Sequence, residues 1–219
     1  PAPAPSLTIS LDRAVQRAAQ NAVNTRGDKA MLVVIKPSTG ELLAVAQNAA
    51  ADADGLVATS GLYPPGSTFK MVTAGAAIER DMATPNSMVG CPGELDIGQR
   101  TIPNYGGFDL GLVSMSRAFA NSCNTTFAEL ASRMPPRALS QAASRYGIGV
   151  DYLVDGITTV TGSVPPTVDL AERTEDGFGQ GKVLASPFGV ALAAATVAAG
   201  RTPVPRLIVT NSRMWLRSP

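Results

Sequence analysis

Leu62-Tyr63-Pro64-Pro65-Gly66-Ser67-Thr68-Phe69-Lys70 is the stretch on which the reading of this chain turns. Two prolines and a glycine force an extended approach and a sharp turn. Beyond it, Phe69, Val72, Ala76 and Ile78 recur at helical spacing and predict a helix with those residues on its inner faces. Ser67 caps its start, and Glu79-Arg80 end it. Ser67 and Lys70 then share a helix face, close enough for Nζ to reach Oγ. Positive potential at the helix N-terminus favours a developing alkoxide on Ser67. The same field, together with burial, disfavours the Lys70 ammonium, and a lysine so shifted can take the serine proton. As a bare pattern, a capping serine and a surface lysine fit equally well. Arginine outnumbers lysine 14 to 4 in the chain, yet this position uses the cation that can lose its proton.

Composition excludes several kinds of chemistry. The chain has 219 residues, 45% hydrophobic and 16% charged, with a formal net charge of +1. That suffices for a sizeable core and rules out a disordered chain. The charge balance argues against a nucleic-acid partner. No window approaches 18 uninterrupted apolar residues, so no segment reads as a membrane span. There is no histidine. Ser-His-Asp and Cys-His catalysis and His-based zinc sites are therefore excluded within the chain. A base working near neutral pH must be a shifted lysine, a shifted carboxylate or a backbone amine.

Outward from the central stretch, the pattern is α+β. Leu7, Ile9 and Leu11 alternate as a short strand. Asp12 caps a helix running to about Val23, and Gly27-Asp28 stop it. Met31 to Ile35 and Glu41 to Ala46 predict a hairpin about Pro37-Ser38-Thr39-Gly40, with Gly40 suited to positive φ. Gln47 to Gly61 reads as loop, and residues 84 to 111, rich in Pro and Gly, as an irregular excursion. Val113 to Met134 is helical, broken around Asn121 to Asn124, and a further helix covers Pro136 to Tyr146. Gly156 to Asp169 reads as loop with a strand fragment, and Glu175 to Lys182 as a Gly-rich connection. Ser186-Pro187 opens a helix to Ala199 that is apolar almost all round and predicted to be buried, with Gly200 after it. Pro1 to about residue 7 reads as a stiff linker, residues 8–210 as the domain, and 211–219 as an irregular tail. Neither end has the character of a natural terminus, so the chain reads as a piece of a longer protein.

Other chemistry-bearing residues are weaker alone. Ser122 and Asn124, flanking Cys123, are alternate residues on a turn and can direct a hydroxyl and an amide toward one cleft. A polar kink with a helix cap fits the same tripeptide. Cys91 and Cys123 are too few for a disulfide framework. A bridge between them and a pair of half-buried free thiols both stay open, because spacing does not establish disulfide geometry. Phe178-Gly179-Gln180-Gly181-Lys182 lacks P-loop spacing. Asp151, Asp155, Asp169, Glu172, Glu175 and Asp176 lack metal-ligand spacing and read as solvated surface.

The combination resembles the penicillin-binding protein transpeptidases, in the superfamily of penicillin-recognising serine acyltransferases. Leu62 to Lys70 resembles the family's active-serine segment. Thr8 to Gln16, Val33 to Ala46, Cys91-Pro92-Gly93, Ala120 to Phe127 and Gly177 to Ala199 match further segments in the family's order, over residues about 8 to 208. The resemblance implies an α+β transpeptidase fold, a helical cluster packed on an antiparallel sheet and incomplete at the C-terminus. It implies Ser67 as the nucleophile on the D-Ala–D-Ala carbonyl of a peptidoglycan stem peptide, with Lys70 as general base. Ser122 would relay the proton to the leaving D-alanine, and Asn124 would bind a substrate or β-lactam amide. The Ser67 N–H would donate to the oxyanion. Stem peptides, β-lactams and cell-wall synthesis proteins are the implied partners, with no cofactor and no metal. The implied location is the extracytoplasmic face of a bacterial membrane, with an anchor preceding this chain.

One departure stands out. The family's third motif, Lys-Thr-Gly or a close variant, follows the buried helix, whereas Lys182 precedes it and is followed by Val183-Leu184. The expectation is that residues 1–219 alone are a poor catalyst. Two alternatives stay within the same fold. A serine β-lactamase of class D also carries Ser-Thr-Phe-Lys, but Asn124 and the Tyr63-Pro64-Pro65-Gly66 lead-in stand against it. A noncatalytic penicillin-binding or sensor domain is the other.

Overall fold

The computed structural model describes residues 7–209. In chain order they form helices α1 (Arg13–Val23), α2 (Ala49–Asp52), α3 (Val57–Ser60), α4 (Lys70–Glu79), α5 (Met115–Ala120), α6 (Asn124–Ser132), α7 (Ala138–Arg145), α8 (Leu170–Asp176) and α9 (Pro187–Ala199). The strands are β1 (Met31–Ile35), β2 (Leu42–Gln47), β3 (Met88–Cys91), β4 (Glu94–Ile97), β5 (Arg100–Pro103), β6 (Gly111–Ser114), β7 (Gly162–Ser163) and β8 (Leu184–Ala185). The α+β class is as expected, but the strands make four separate two-stranded ladders rather than one sheet: β1–β2, β3–β6, β4–β5 and β7–β8. Most of these strands have four residues or fewer, too short to recruit further neighbours. The chain divides into two compact units. One comprises Pro1–Gly61, Asp151–Thr161 and Pro187–Pro219; the other comprises Leu62–Val150 and Gly162–Ser186. The tail expected over residues 211–219 lies outside the described residues.

In the first unit, Asp12 caps α1, its Oδ1 accepting the N–H groups of Ala14 and Val15 at 2.9 Å each. Ala19 and Val23 then bury against Ala44 and Ala46 of β2. The Gln16 side-chain amide completes the fit: it donates to the Val45 carbonyl at 2.8 Å and accepts the Val45 N–H at 2.9 Å. β1 and β2 pair antiparallel, Met31 opposite Gln47. Gly40 has φ +76°, and a Cβ there would lie 1.9 Å from the Val204 carbonyl oxygen, so conformation and space both demand glycine. Phe188, Leu192 and Ala195 of α9 bury with Ile35, Leu42 and Val154. Three expectations change here. Residues 7–11 contribute a single bridge, Ile9 to Ile208, instead of a strand. The Gln47–Gly61 segment contains α2 and α3, of four residues each, with Asn48 capping α2 through Ala51 N–H. The predicted burial of α9 is one-sided, since Val197 is 58% exposed.

The second unit packs α4 against α6 and α7, and α6 against α8. Phe69, Val72, Ala76, Phe127, Ala131 and Ala142 are buried within it. Ile78, predicted on the inner face, is 44% exposed, because the buried stripe of α4 runs through Val72, Thr73, Ala76 and Ala77. The excursion over residues 84–111 is ordered into β3, β4 and β5 and the start of β6. β3 pairs with β6 across the β4–β5 hairpin. Helix α8, which the sequence reading left unassigned, is capped by Asp169 at the Glu172 N–H, 2.9 Å, a local Asp-x-x-Glu signal. Cys91 at the end of β3 and Cys123 before α6 are joined by a disulfide, with Cα atoms 6.1 Å apart and both residues fully buried. The reading as half-buried free thiols is thereby corrected: β3 and the α6 entry meet in one apolar cluster with Val113 and Ala118.

Candidate active site

The chain enters the site along a short brace. Tyr63 exchanges both backbone hydrogen bonds with Ala185, at 3.0 and 2.9 Å, and the Gly66 N–H donates to the Gly179 carbonyl at 2.8 Å. Gly66–Phe69 then forms a 3₁₀ turn, and α4 begins only at Lys70, with Phe69 in the N-cap position. Ser67 therefore does not cap the helix, contrary to the expectation from its position. No side-chain capping bond is made at either N-terminus. Its exposed hydroxyl instead lies 3.1 Å from Lys70 Nζ. The tighter turn keeps the i, i+3 pair aligned, since 3₁₀ residues three apart eclipse one another.

Lys70 is the best-enclosed polar group of the site, with 1% of its surface exposed. Its Nζ donates to the Ser122 carbonyl and to Asn124 Oδ1, both at 2.6 Å, and lies 3.0 Å from Ser122 Oγ. The Phe127 ring centroid lies 5.7 Å away. Among the described residues no carboxylate pairs with this amine, so burial alone pulls it down to about 8. The hydrogen-bond inventory can accommodate the neutral state. The carbonyl and Oδ1 can only accept, and they take two N–H bonds. A neutral amine then has its lone pair left for a hydroxyl proton, and both hydroxyls within reach are serines.

Ser122 and Asn124 reach Lys70 because the chain breaks between α5 and α6, where the sequence predicts an interruption. Ser122 has φ +57°, a left-handed conformation uncommon for serine. That turn directs both its carbonyl and its hydroxyl at the same amine. Asn124 opens α6, and its Nδ2 also donates to the Pro103 carbonyl at 3.1 Å, leaving one amide hydrogen uncommitted. A residue the sequence reading missed holds this corner. Asn104, 3% exposed, accepts the backbone N–H groups of Asn124 at 2.7 Å and Thr125 at 3.2 Å. Its own amide donates to the carbonyls of Pro92 and Phe108 at 2.8 and 2.9 Å. It caps α6 from 20 residues upstream, so no local capping pattern could reveal it.

Ser67, Ser122 and Asn124 line a pocket of about 400 Å³ together with Tyr105, Phe108, Asn121, Phe178 and Gln180. Three of the predicted site residues, Ser67, Ser122 and Asn124, thus converge on the amine of the fourth, Lys70, beside one cavity. Lys182 does not join them: it is exposed and pairs with Glu172 at 2.8 Å. Of the acidic residues read as solvated surface, Asp176 is a correction. It is 1% exposed, because α8 packs on α6 and carries it inward.

Comparison with known proteins identifies the family. The family model described as the penicillin binding protein transpeptidase domain matches residues 30–215. The chain is 30% identical over 216 residues to the peptidoglycan D,D-transpeptidase PbpA of Mycolicibacterium smegmatis, covering 84% of this chain and 44% of that protein. It is 25% identical to the peptidoglycan D,D-transpeptidase MrdA of Acinetobacter baumannii, over 88% of this chain and 33% of that one. The penicillin G acyl-enzyme complex of penicillin-binding protein A from M. tuberculosis superposes with a TM-score of 0.84 at 27% identity, covering 92% of this chain and 54% of that one. The chain spans less than half the length of the curated relatives it matches.

Proposed function

This chain belongs to the penicillin-binding protein transpeptidase family, and from that premise we propose that it carries the acylation half-site of a serine D,D-transpeptidase that cross-links peptidoglycan and is acylated by β-lactams. The carrying observation is the Lys70 amine, buried with no counter-charge among the described residues and 3.1 Å from the Ser67 hydroxyl. In this reading Lys70, unprotonated, accepts the Ser67 proton as Oγ attacks the carbonyl of a D-Ala–D-Ala stem peptide. The Ser67 N–H donates to the oxyanion. As the tetrahedral adduct collapses, the carbonyl carbon keeps its new bond to Oγ and the C–N bond breaks. The proton passes from Lys70 through Ser122 Oγ, 3.0 Å away, to the departing D-alanine nitrogen. Asn124 uses its uncommitted amide hydrogen on a substrate or β-lactam carbonyl. An amine from a second stem peptide then attacks the ester, and Ser67 recovers its proton.

The relatives' names, peptidoglycan D,D-transpeptidases, speak of cell-wall chemistry. We extend that to an extracytoplasmic location, with an anchor and cell-wall synthesis partners belonging to the longer protein. Among the described residues no helix is long and apolar enough to cross a membrane. A fluorescent penicillin tests the reading. Covalent label on Ser67 of the protein, absent in Ser67→Ala and persistent after the free drug is removed, supports it. Rapid steady hydrolysis of nitrocefin without a lasting adduct would assign a β-lactamase instead.

A further inference from the structure

Asp176 is a buried carboxylate to which the proposed chemistry gives no task. Its surroundings are donors. Thr167 Oγ1 donates to Oδ2 at 2.7 Å, and the Lys182 N–H donates to Oδ1 at 2.9 Å. Among the described residues no cation pairs with it. Burial pushes its carboxyl upward, against those hydrogen bonds. Keeping an unpaired carboxylate here is costly, and what it holds is the turn from Gly177 to Lys182. That turn fits tightly at three points. A Cβ at Gly181 would lie 2.5 Å from Asp176 Oδ1, and one at Gly179 would lie 1.9 Å from the Gly66 carbonyl oxygen. The Gly177 carbonyl accepts Thr73 Oγ1 of α4 at 2.8 Å. Its apex then accepts the Gly66 N–H, the residue before Ser67, while Phe178 and Gln180 line the pocket.

We propose that Asp176 is a positioning residue for the nucleophile: by holding the Gly177–Lys182 turn closed, it fixes the Gly179–Gly66 contact and through it the place of Ser67 against Lys70. The role of Ser67 rests on the function proposed above; the contact itself does not. Asp176→Ala removes both acceptor oxygens. Thr167→Val, milder, removes only the hydroxyl that orients the carboxylate.

The test has two readouts on the full chain. The first is hydrogen exchange of the Gly66 amide, which needs no chemistry at Ser67. In Asp176→Ala it quickens at least tenfold, while the amides of Val72 and Phe127 keep their wild-type rates. Thr167→Val shifts it in the same direction by less. An unchanged Gly66 amide overturns the proposal. So does equal acceleration of all three amides, which marks general loss of stability. The second readout is the rate constant for labelling Ser67 with a fluorescent penicillin. It falls at least tenfold in Asp176→Ala while the apparent pKa of the profile stays near that of the wild type, since Ser122, Asn124 and Phe127 still surround Lys70. If Asp176→Ala does not fold, Thr167→Val carries both readouts. Because residues 1–219 alone are expected to label slowly, it is the full-length protein that never labels, with Gly66 exchange behaving as stated, that refutes the function and leaves the brace standing.

Discussion

Breaking the Cys91–Cys123 bond is the perturbation that most directly joins stability to the site. The bridge closes a loop of 32 residues. Chain-entropy loss in the denatured state then contributes about 3.7 kcal/mol at 25 °C. Both sulfurs are fully buried with Val113 and Ala118, so replacement by alanine adds roughly 1 kcal/mol of lost packing. Residual structure in the unfolded chain, and the β4–β5 hairpin inside the loop, reduce the entropic part. The expected loss is about 3–5 kcal/mol. Urea unfolding followed by far-UV circular dichroism measures it. With a slope of about 2–3 kcal/mol/M, the midpoint falls by roughly 1.5 M. Cys91→Ala, Cys123→Ala and the double variant should fall by nearly the same amount, because either single change already cuts the bond. Labelling of Ser67 should slow in all three, since Cys123 lies between Ser122 and Asn124. Additive single effects, or a loss below about 1 kcal/mol, would refute the argument.

The labelling rate of Ser67 should rise with pH about a midpoint near 8, the value to which burial brings Lys70, and Lys70→Met should lower it by about 10²–10⁴. Unfolding has the matching sign. The unfolded lysine keeps its proton to about pH 10.4 while the folded one releases it near 8, so this group's contribution to stability increases between those values. Ser122→Gly relieves a left-handed backbone, a gain of about 1 kcal/mol that offsets a lost hydrogen bond of about 1 kcal/mol. Its thermal midpoint should therefore stay within a few degrees of wild type while acylation slows, as stopped-flow fluorescence would record. Asn104→Ala strips the acceptor from one buried and one partly buried N–H group and the donor from two carbonyls. It should cost about 2–4 kcal/mol in urea unfolding.

What the sequence disclosed follows the range of the forces involved. The Asp12 cap, the Gly40 turn, the β1–β2 hairpin and the break before Asn124 are all set by residues a few positions apart, and each is where local chemistry put it. Ser67 and Lys70 were legible for the same reason, being three residues apart. Ser67 as a cap was not, because its hydroxyl found the buried amine instead of the backbone. β3 and β6 were hidden because Gly90, Pro92 and Gly93 interrupt the pattern and their pairing is decided across the intervening chain, whereas Glu94 to Ile97 alternates and its two-residue turn into β5 was a local signal the sequence reading missed. Asn104 and Asp176 were illegible as site residues. One caps a helix 20 positions away, and the other was grouped with surface acids because composition says nothing of which way α8 faces.

Two features that oppose stability in the second unit meet at one atom. Lys70 is buried with no carboxylate among the described residues to neutralise it. Ser122 is held in a left-handed turn to aim two oxygens at that amine. Neither feature persists unless neighbouring structure over-determines it. The neighbours that do so are specific. Cys123 is tied covalently to β3, and Asn104 anchors the first N–H groups of α6. Behind Ser67, the Gly179 carbonyl holds Gly66. A lysine merely packed as filler would need none of these restraints and would be better replaced by methionine, which fills similar volume without a buried charge. The restraints hold the amine within reach of two hydroxyls and lower its proton affinity, which in a chain without histidine is the arrangement that the proposed serine acylation needs.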